Sequence, residues 1–206
     1  MSNFFEELGI DEKIYNDAEA ASVAPAFEVI PSGVYGATIK QLATFTTEKG
    51  AGMLKAVIHI TSEDRDIEVY QNIKKKDGSA NEIGTRTFKS IIAAANVDAA
   101  ELANKSEKIK AYGKEVDAKV VKGLEGKKIA ALVRSVFEEG ATYEETNEIE
   151  AFAKADGTNA NGEDLLEAFK SKIEKTPIKI KKTKAKAKDN STQATTQSGQ
   201  SVADLL

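Results

Sequence analysis

Tyr35 precedes Lys40, Phe45 is followed by Lys49 and Lys55, and Tyr70 by Lys74, Lys75 and Lys76. A second set comprises Arg86, Lys127, Lys128 and Arg134, with Phe137 close behind. Cations track phosphate oxygens, and flat rings give unpaired bases a stacking face that contributes about 1–3 kcal/mol per base. Interleaved along strands and turns, the two residue types describe a surface for single-stranded nucleic acid. Each also has a plainer use. Phe137 and Phe88 continue apolar stripes and are read as core. Tyr35 and Tyr70 fall opposite the apolar alternation or at its edge, which leaves packing and surface stacking even. Lys74–Lys76 serves equally well as a solvated turn or a phosphate grip.

The C-terminal end carries a different kind of cation. Lysines at 170, 172, 175, 179, 181, 182, 184, 186 and 188 give residues 170–206 nine positive charges against Glu174, Asp189 and Asp204. The preceding 169 residues hold 20 basic and 30 acidic side chains, so a net charge of −4 conceals a split between an acidic body and a basic arm. A mobile polycation releases counterions from any phosphate polymer; a solvated linker is the alternative use. Beyond it, Ser201-Val202-Ala203-Asp204-Leu205-Leu206 turns apolar around one acid. Asp204, Leu205 and Leu206 are read as a short partner-docking peptide on a flexible tether.

Catalytic patterns are missing. The absence of cysteine removes thiolate nucleophiles, disulfides and Cys-based zinc sites together. His59 is the single histidine, alternating with Ile58 and Ile60, and is read as a surface or barrel-lining side chain. There is no GxxxxGK[ST] loop and no GxGxxG opening a helix. Residues 156–159 lack the alternating oxygen ligands of a calcium loop. The expectation is a binding protein, not an enzyme, with no cofactor and no metal.

The elements that must position these residues read as follows. Residues 3–21 carry Phe4, Phe5 and Leu8 on one stripe and predict a helical extension within residues 1–24. From Gly33 the period changes to two, predicting strands from 34, over 53–60 with Leu54, Ala56, Ile58 and Ile60 on one face, and over 65–73. Residues 85–96 predict a helix, and 98–101 one more helical turn opened by a capping box. Strands are expected over 115–121, 129–137 and 142–153, then a last helix over 162–173. From 175 to 206 the chain is too polar to offset its ordering entropy and is expected to be a disordered lysine-rich tail. Only 6% of residues are aromatic and none is Trp, so the core must be light. Short turns join the first three strands, which excludes a doubly wound parallel sheet. The expected fold is β-rich (α+β): an OB-like small antiparallel barrel with an inserted helix over 25–174.

The segment Ile30-Pro31-Ser32-Gly33-Val34-Tyr35-Gly36-Ala37-Thr38-Ile39 resembles the opening strand of bacteriophage single-stranded DNA-binding proteins of the OB-fold type. Gly50-Ala51-Gly52-Met53-Leu54, the mid-chain helix and Leu124-Glu125-Gly126-Lys127-Lys128 resemble the parts that follow, over roughly residues 28–155. The resemblance implies coating of single-stranded DNA without sequence preference during phage replication or recombination. It also implies a C-terminal tip that recruits replication or recombination proteins. The tail departs from the family pattern, being mostly lysine where the family's is strongly acidic.

Two expectations from different classes result: a single-stranded DNA-binding protein, or a structural or scaffold protein of a virion whose barrel is only a platform. No apolar run reaches the roughly 20 residues of a membrane span, and residues 1–7 are not a secretory signal. The chain is expected to be soluble and cytoplasmic, in the host cytoplasm if phage-encoded. Self-association into a homo-oligomer is compatible with the sequence.

Overall fold

In a computed structural model the structure describes residues 29–181. The expected N-terminal helix, the tail from 182 onward and the tip Asp204-Leu205-Leu206 lie outside the described residues. Strand β1 (Gly33–Thr46) is the longest element of the sheet. One of its edges pairs antiparallel with β2 (Gly52–Ile60). The other edge is divided: residues 33–38 pair with β6 (Lys128–Glu138), and residues 43–45 pair with β5 (Lys114–Lys122). The change of partner is made possible by a bulge between Ile39 and Gln41, which bends the strand at Lys40. Ile39 N–H donates to Lys127 O (3.0 Å) and Gly126 N–H donates to Ile39 O (2.9 Å), closing the backbone at the bend.

Around this strand the rest of the sheet assembles. β3 (Arg65–Lys74) pairs with β2, β4 (Ala103–Ala111) with β5, and β7 (Glu145–Lys154) with β6, all antiparallel. A four-residue strand, β8 (Ile178–Lys181), joins β6 in parallel. The two end strands β3 and β7 approach within 8 Å, Cα to Cα, without forming a ladder, so the sheet is open there. Helix α1 (Glu82–Ala95) packs on both of them and lies over the seam. Beneath it the main core is fully enclosed: Ile39, Leu42, Leu54, Ile58, Ile60, Ile91, Leu124 and Ile129 are at most 1% exposed. A second, smaller helix, α2 (Leu166–Lys175), buries Phe169 against Ala130, Leu132 and Ala153 on the opposite face of β6 and β7.

Several boundaries differ from expectation for local reasons. Helix α1 begins three residues early because Asn81 is its N-cap, its side chain accepting from the N–H groups of Ile83 and Gly84. The expected helical turn at 98–101 is a 3₁₀ turn, Ala99–Glu101, in which Asp98 accepts from Ala100 N–H. Strand β4 was not expected. Among its residues only Ile109 and Ala111 are buried, so the alternation is hidden in a polar stretch. Helix α2 starts late because Asp156, Asn159 and Asp164 hold the preceding residues in turns by accepting backbone N–H groups. Within the expected tail, residues 178–181 form a strand in which Ile-Lys-Ile-Lys alternation continues the sheet.

Gly84 locks α1 to the sheet. A Cβ at this position would sit 2.0 Å from Asn72 O, a backbone atom that cannot move aside cheaply. In an open helix Gly→Ala gains up to about 1 kcal/mol, while forced overpacking costs about 1–3 kcal/mol or more. The clash should win. We expect Gly84→Ala to lower the urea midpoint of unfolding; a rise would mean that α1 does not lie tight against β3.

Candidate nucleic-acid interface

The outward face of β1–β2–β3 is opposite the main core. Cross-strand pairing places Ala43, Lys55 and Tyr70 in one row and Phe45, Met53 and Asn72 in the next. Over these rows folds the β4–β5 hairpin, whose Ile109, Ala111, Ala118 and Val120 form a second core with Ala43 and Phe45. The hairpin turns at Tyr112-Gly113. Both residues have positive φ, 51° and 76°, the signature of a type I′ turn. That turn favours Asn or Asp at its first position; a tyrosine held left-handed there is strained by roughly 1–2 kcal/mol.

What the strained residue gains is a stack. The Tyr112 ring lies 4.3 Å from the Tyr70 ring at an interplanar angle of 23°, and Phe45 meets it edge-on at 6.2 Å. Tyr112 N–H also donates to the Tyr70 hydroxyl at 3.4 Å. Yet Tyr112 remains 59% exposed. Behind the stack, Lys55 donates to Glu68 (2.6 Å) and to Lys110 O (2.7 Å), and its ammonium lies 5.5 Å from the Tyr70 ring centre. Tyr70 in turn donates to Glu68 at 2.7 Å. Burial works against charge on Glu68, but the hydrogen bonds from Lys55 and Tyr70 more than offset it and hold the carboxyl below its ordinary pKa. Lys55 is likewise disfavoured by burial and rescued by Glu68 and Tyr70, so its pKa is raised. Burial pushes up the Tyr70 hydroxyl, and Glu68 adds to the effect.

Exposed cations collect at this end of the sheet. Gly52 pairs with Lys74, which brings the β1–β2 turn carrying Lys49 alongside Lys74, Lys75 and Lys76. Lys114, next to the hairpin tip, reaches Glu48 of the same turn at 3.4 Å. The arrangement is an exposed ring on a ring support, with Lys49, Lys74, Lys75, Lys76 and Lys114 at the same end. Such a platform offers a π-face and mobile ammonium groups to a flat, anionic polymer.

The other expected site residues fall elsewhere. Phe45, 6% exposed, supports the stack from within and presents no free face; Lys55, 4% exposed, is held by Glu68 and Lys110 O and is not a free phosphate contact. Tyr35 packs its ring beside Gly33 against the main core and donates its hydroxyl to Pro31 O. Lys40, at the bulge, pairs with Asp66 at 2.8 Å, and Lys128 sits opposite Thr38. Thr38 also pairs with His59, whose Nδ1 lies 2.8 Å from Asp66. These residues, with Lys127 in the turn before β6, occupy the end of the outward face away from Tyr70. Arg86 lies exposed on α1, and Arg134 is only 1% exposed. Arg134 donates to Lys172 O (3.3 Å) and to Thr176 O, so it caps the C-terminus of α2. The second basic group is therefore not a group. Phe137 is partly exposed beside Val29, Ile178 and Ile180, and Phe88 packs on the main core as expected.

Sequence reasoning missed Tyr112. The signal was a Tyr-Gly pair just ahead of a predicted strand, which becomes a hairpin turn only once β4 is recognised. Among the described residues no group of His, Asp and Glu is placed to hold a metal ion, and no helix is long and apolar enough to cross a membrane. The chain matches no protein-family model and no curated protein sequence.

A pH dependence follows from Glu68. Because its folded pKa is depressed, its contribution is complete above the unfolded value near 4.5 and is lost as pH falls through the lower folded value. Ring NMR signals of Tyr70 and Tyr112 should lose their stacked shifts over that acid range. Glu68→Gln should remove the step; an unchanged titration would detach Glu68 from the stack.

Proposed function

We propose that this protein coats single-stranded DNA without sequence preference, using the Tyr70–Tyr112 stack as its base platform and the lysines of the neighbouring turns as phosphate contacts. One observation carries the reading: Tyr112 is strained and exposed at once. An aromatic pair is worth about 0.5–1.5 kcal/mol beyond burial, which only balances the left-handed strain of roughly 1–2 kcal/mol. Fold stability therefore does not account for a tyrosine here, whereas a base stacked on it contributes about 1–3 kcal/mol.

The fold is compatible with the same reading. The run β3-β2-β1-β6-β7 of an open, mostly antiparallel sheet, with a bulged first strand and a helix over the remaining seam, is compatible with an OB-like reading. The acidic balance of the body is no obstacle where charges separate by face: Asp66 and Glu68 are each paired with a lysine. A role in phage replication or recombination, with partner recruitment by Asp204-Leu205-Leu206, rests on the resemblance described above.

Fluorescence anisotropy with oligo(dT) and with duplex of the same length tests the proposal. The full chain should prefer the single strand, because stacking needs unpaired bases. Tyr112→Asn should weaken oligo(dT) binding by about 1–3 kcal/mol while leaving the urea midpoint unchanged or raised, since asparagine suits the turn. Equal affinity of the variant, or equal binding of single strand and duplex, would leave a scaffold protein as the better reading. Lys75→Ala should instead reduce the slope of log affinity against log salt by about 0.7, the value for one phosphate contact on a single strand.

A further inference from the structure

Strand β8 is tied to the body by its ladder and by ion pairs, with Ile178 and Ile180 beside Val29 and Phe137 as its apolar contact. β8 pairs with residues 135–138 of β6, yet its Ile178 and Ile180 are 54% and 75% exposed. Besides the ladder, charge holds it. Lys179 Nζ lies 3.1 Å from Glu148 and 3.2 Å from Glu150, and Lys181 pairs with Glu148. From α2, Lys172 reaches Glu150 at 2.7 Å. Burial opposes charge on both carboxyls, but hydrogen bonds from Lys181 and Lys179 to Glu148, and from Lys172 and Lys179 to Glu150, bring both below their ordinary pKa. In sequence the cations run on through Lys182, Lys184, Lys186 and Lys188.

Two glutamates on β7 thus give these lysines what a phosphate chain gives them: closely spaced anionic oxygens. The competition is uneven. The Lys–Glu pairs are only partly buried at Glu148, where they are screened by salt, and tighter at Glu150, which is 13% exposed and has Arg134 4.0 Å away; a phosphate polymer, by contrast, binds many lysines at once and gains from counterion release. A strand with little apolar burial belongs to the low-stability part of a fold.

We propose that Glu148 and Glu150 seat the lysine-rich C-terminal segment until a phosphate polymer takes it: nucleic acid draws Lys179 and Lys181 off β7, β8 leaves β6, and the freed segment becomes a second nucleic-acid-binding element. The proposal rests on the single-stranded DNA reading for the identity of the polymer only. The exchange itself requires no more than a chain of phosphates.

Hydrogen exchange of the full chain at low salt tests it, alone, with inorganic polyphosphate and with oligo(dT). Residues 178–181 should exchange on the order of ten times faster with either polymer, while residues 54–60 stay protected. Glu148→Gln/Glu150→Gln should free β8 without polymer and bind oligo(dT) about three- to ten-fold tighter. Lys179→Gln/Lys181→Gln should also free β8 but bind more weakly. Glu63→Gln/Glu125→Gln makes the same change in net charge in exposed turns away from β8 and should leave β8 protected. If neither polymer speeds exchange at 178–181, the proposal falls. It falls too if Glu63→Gln/Glu125→Gln tightens binding as much as Glu148→Gln/Glu150→Gln, since net charge alone would then explain the gain. If polyphosphate frees β8 but oligo(dT) does not bind, the exchange stands and the DNA reading fails.

Discussion

A single strand with two neighbours on one edge sets the terms for this fold. β1 must satisfy its backbone groups against β6 over its first half and against β5 near its end, and a strand can do so only if it bends between them. The bulge at Lys40 supplies the bend. On one side of it the sheet curls with β6 and β7 to enclose the main core; on the other it carries the hairpin that covers the outward face. Loss of the bend would separate the core from the tyrosine platform, because among the described residues no other strand pairs with both β5 and β6.

Charge in the described residues follows a consistent pattern. Several carboxylates on the strand faces are matched to lysines: Asp66 to Lys40, Glu68 to Lys55, Glu107 to Lys105 and Lys122, and Glu148 and Glu150 to the C-terminal lysines. The lysines of the turns beside Tyr112 have fewer such partners, Lys114 with Glu48 being the ion pair formed there. An acidic protein can therefore present one cationic end, and the field felt by an approaching anion depends on which end it meets.

Much of the framework was legible because its residues obey simple periods. Leu54, Ala56, Ile58 and Ile60 alternate without interruption, and all four are fully buried. Phe88, Ile91, Ile92 and Ala95 mark α1 at helical spacing and do face the core. The candidate site was less legible, for physical reasons that particular residues make clear. Lys55 and Arg134 belong to types that seldom lose their solvent; here they do because Lys110 O, Lys172 O and Thr176 O, distant in the chain, accept their hydrogen bonds. Tyr112 lay hidden because a strand made visible by only Ile109 and Ala111 is needed to turn Tyr-Gly into a hairpin tip. The barrel expectation was reached from element order, which says nothing about whether β3 and β7 complete a ladder.

The split edge of β1 also has a meaning in time. Gly33 pairs with Val133 and Thr38 with Lys128, so the half-ladder with β6 joins residues roughly 90–100 positions apart, a separation that slows folding. On a ribosome adding about 5–20 residues per second, the first half of β1 waits about 5–20 s for its partner to be made. Throughout that interval an apolar strand has an unpaired edge, and the nascent chain is open to pairing with its neighbours on the same message. Synthesis at high copy number therefore exposes this protein to misassembly at one identifiable edge, and a chaperone that shields residues 33–38 would act at the point of greatest need.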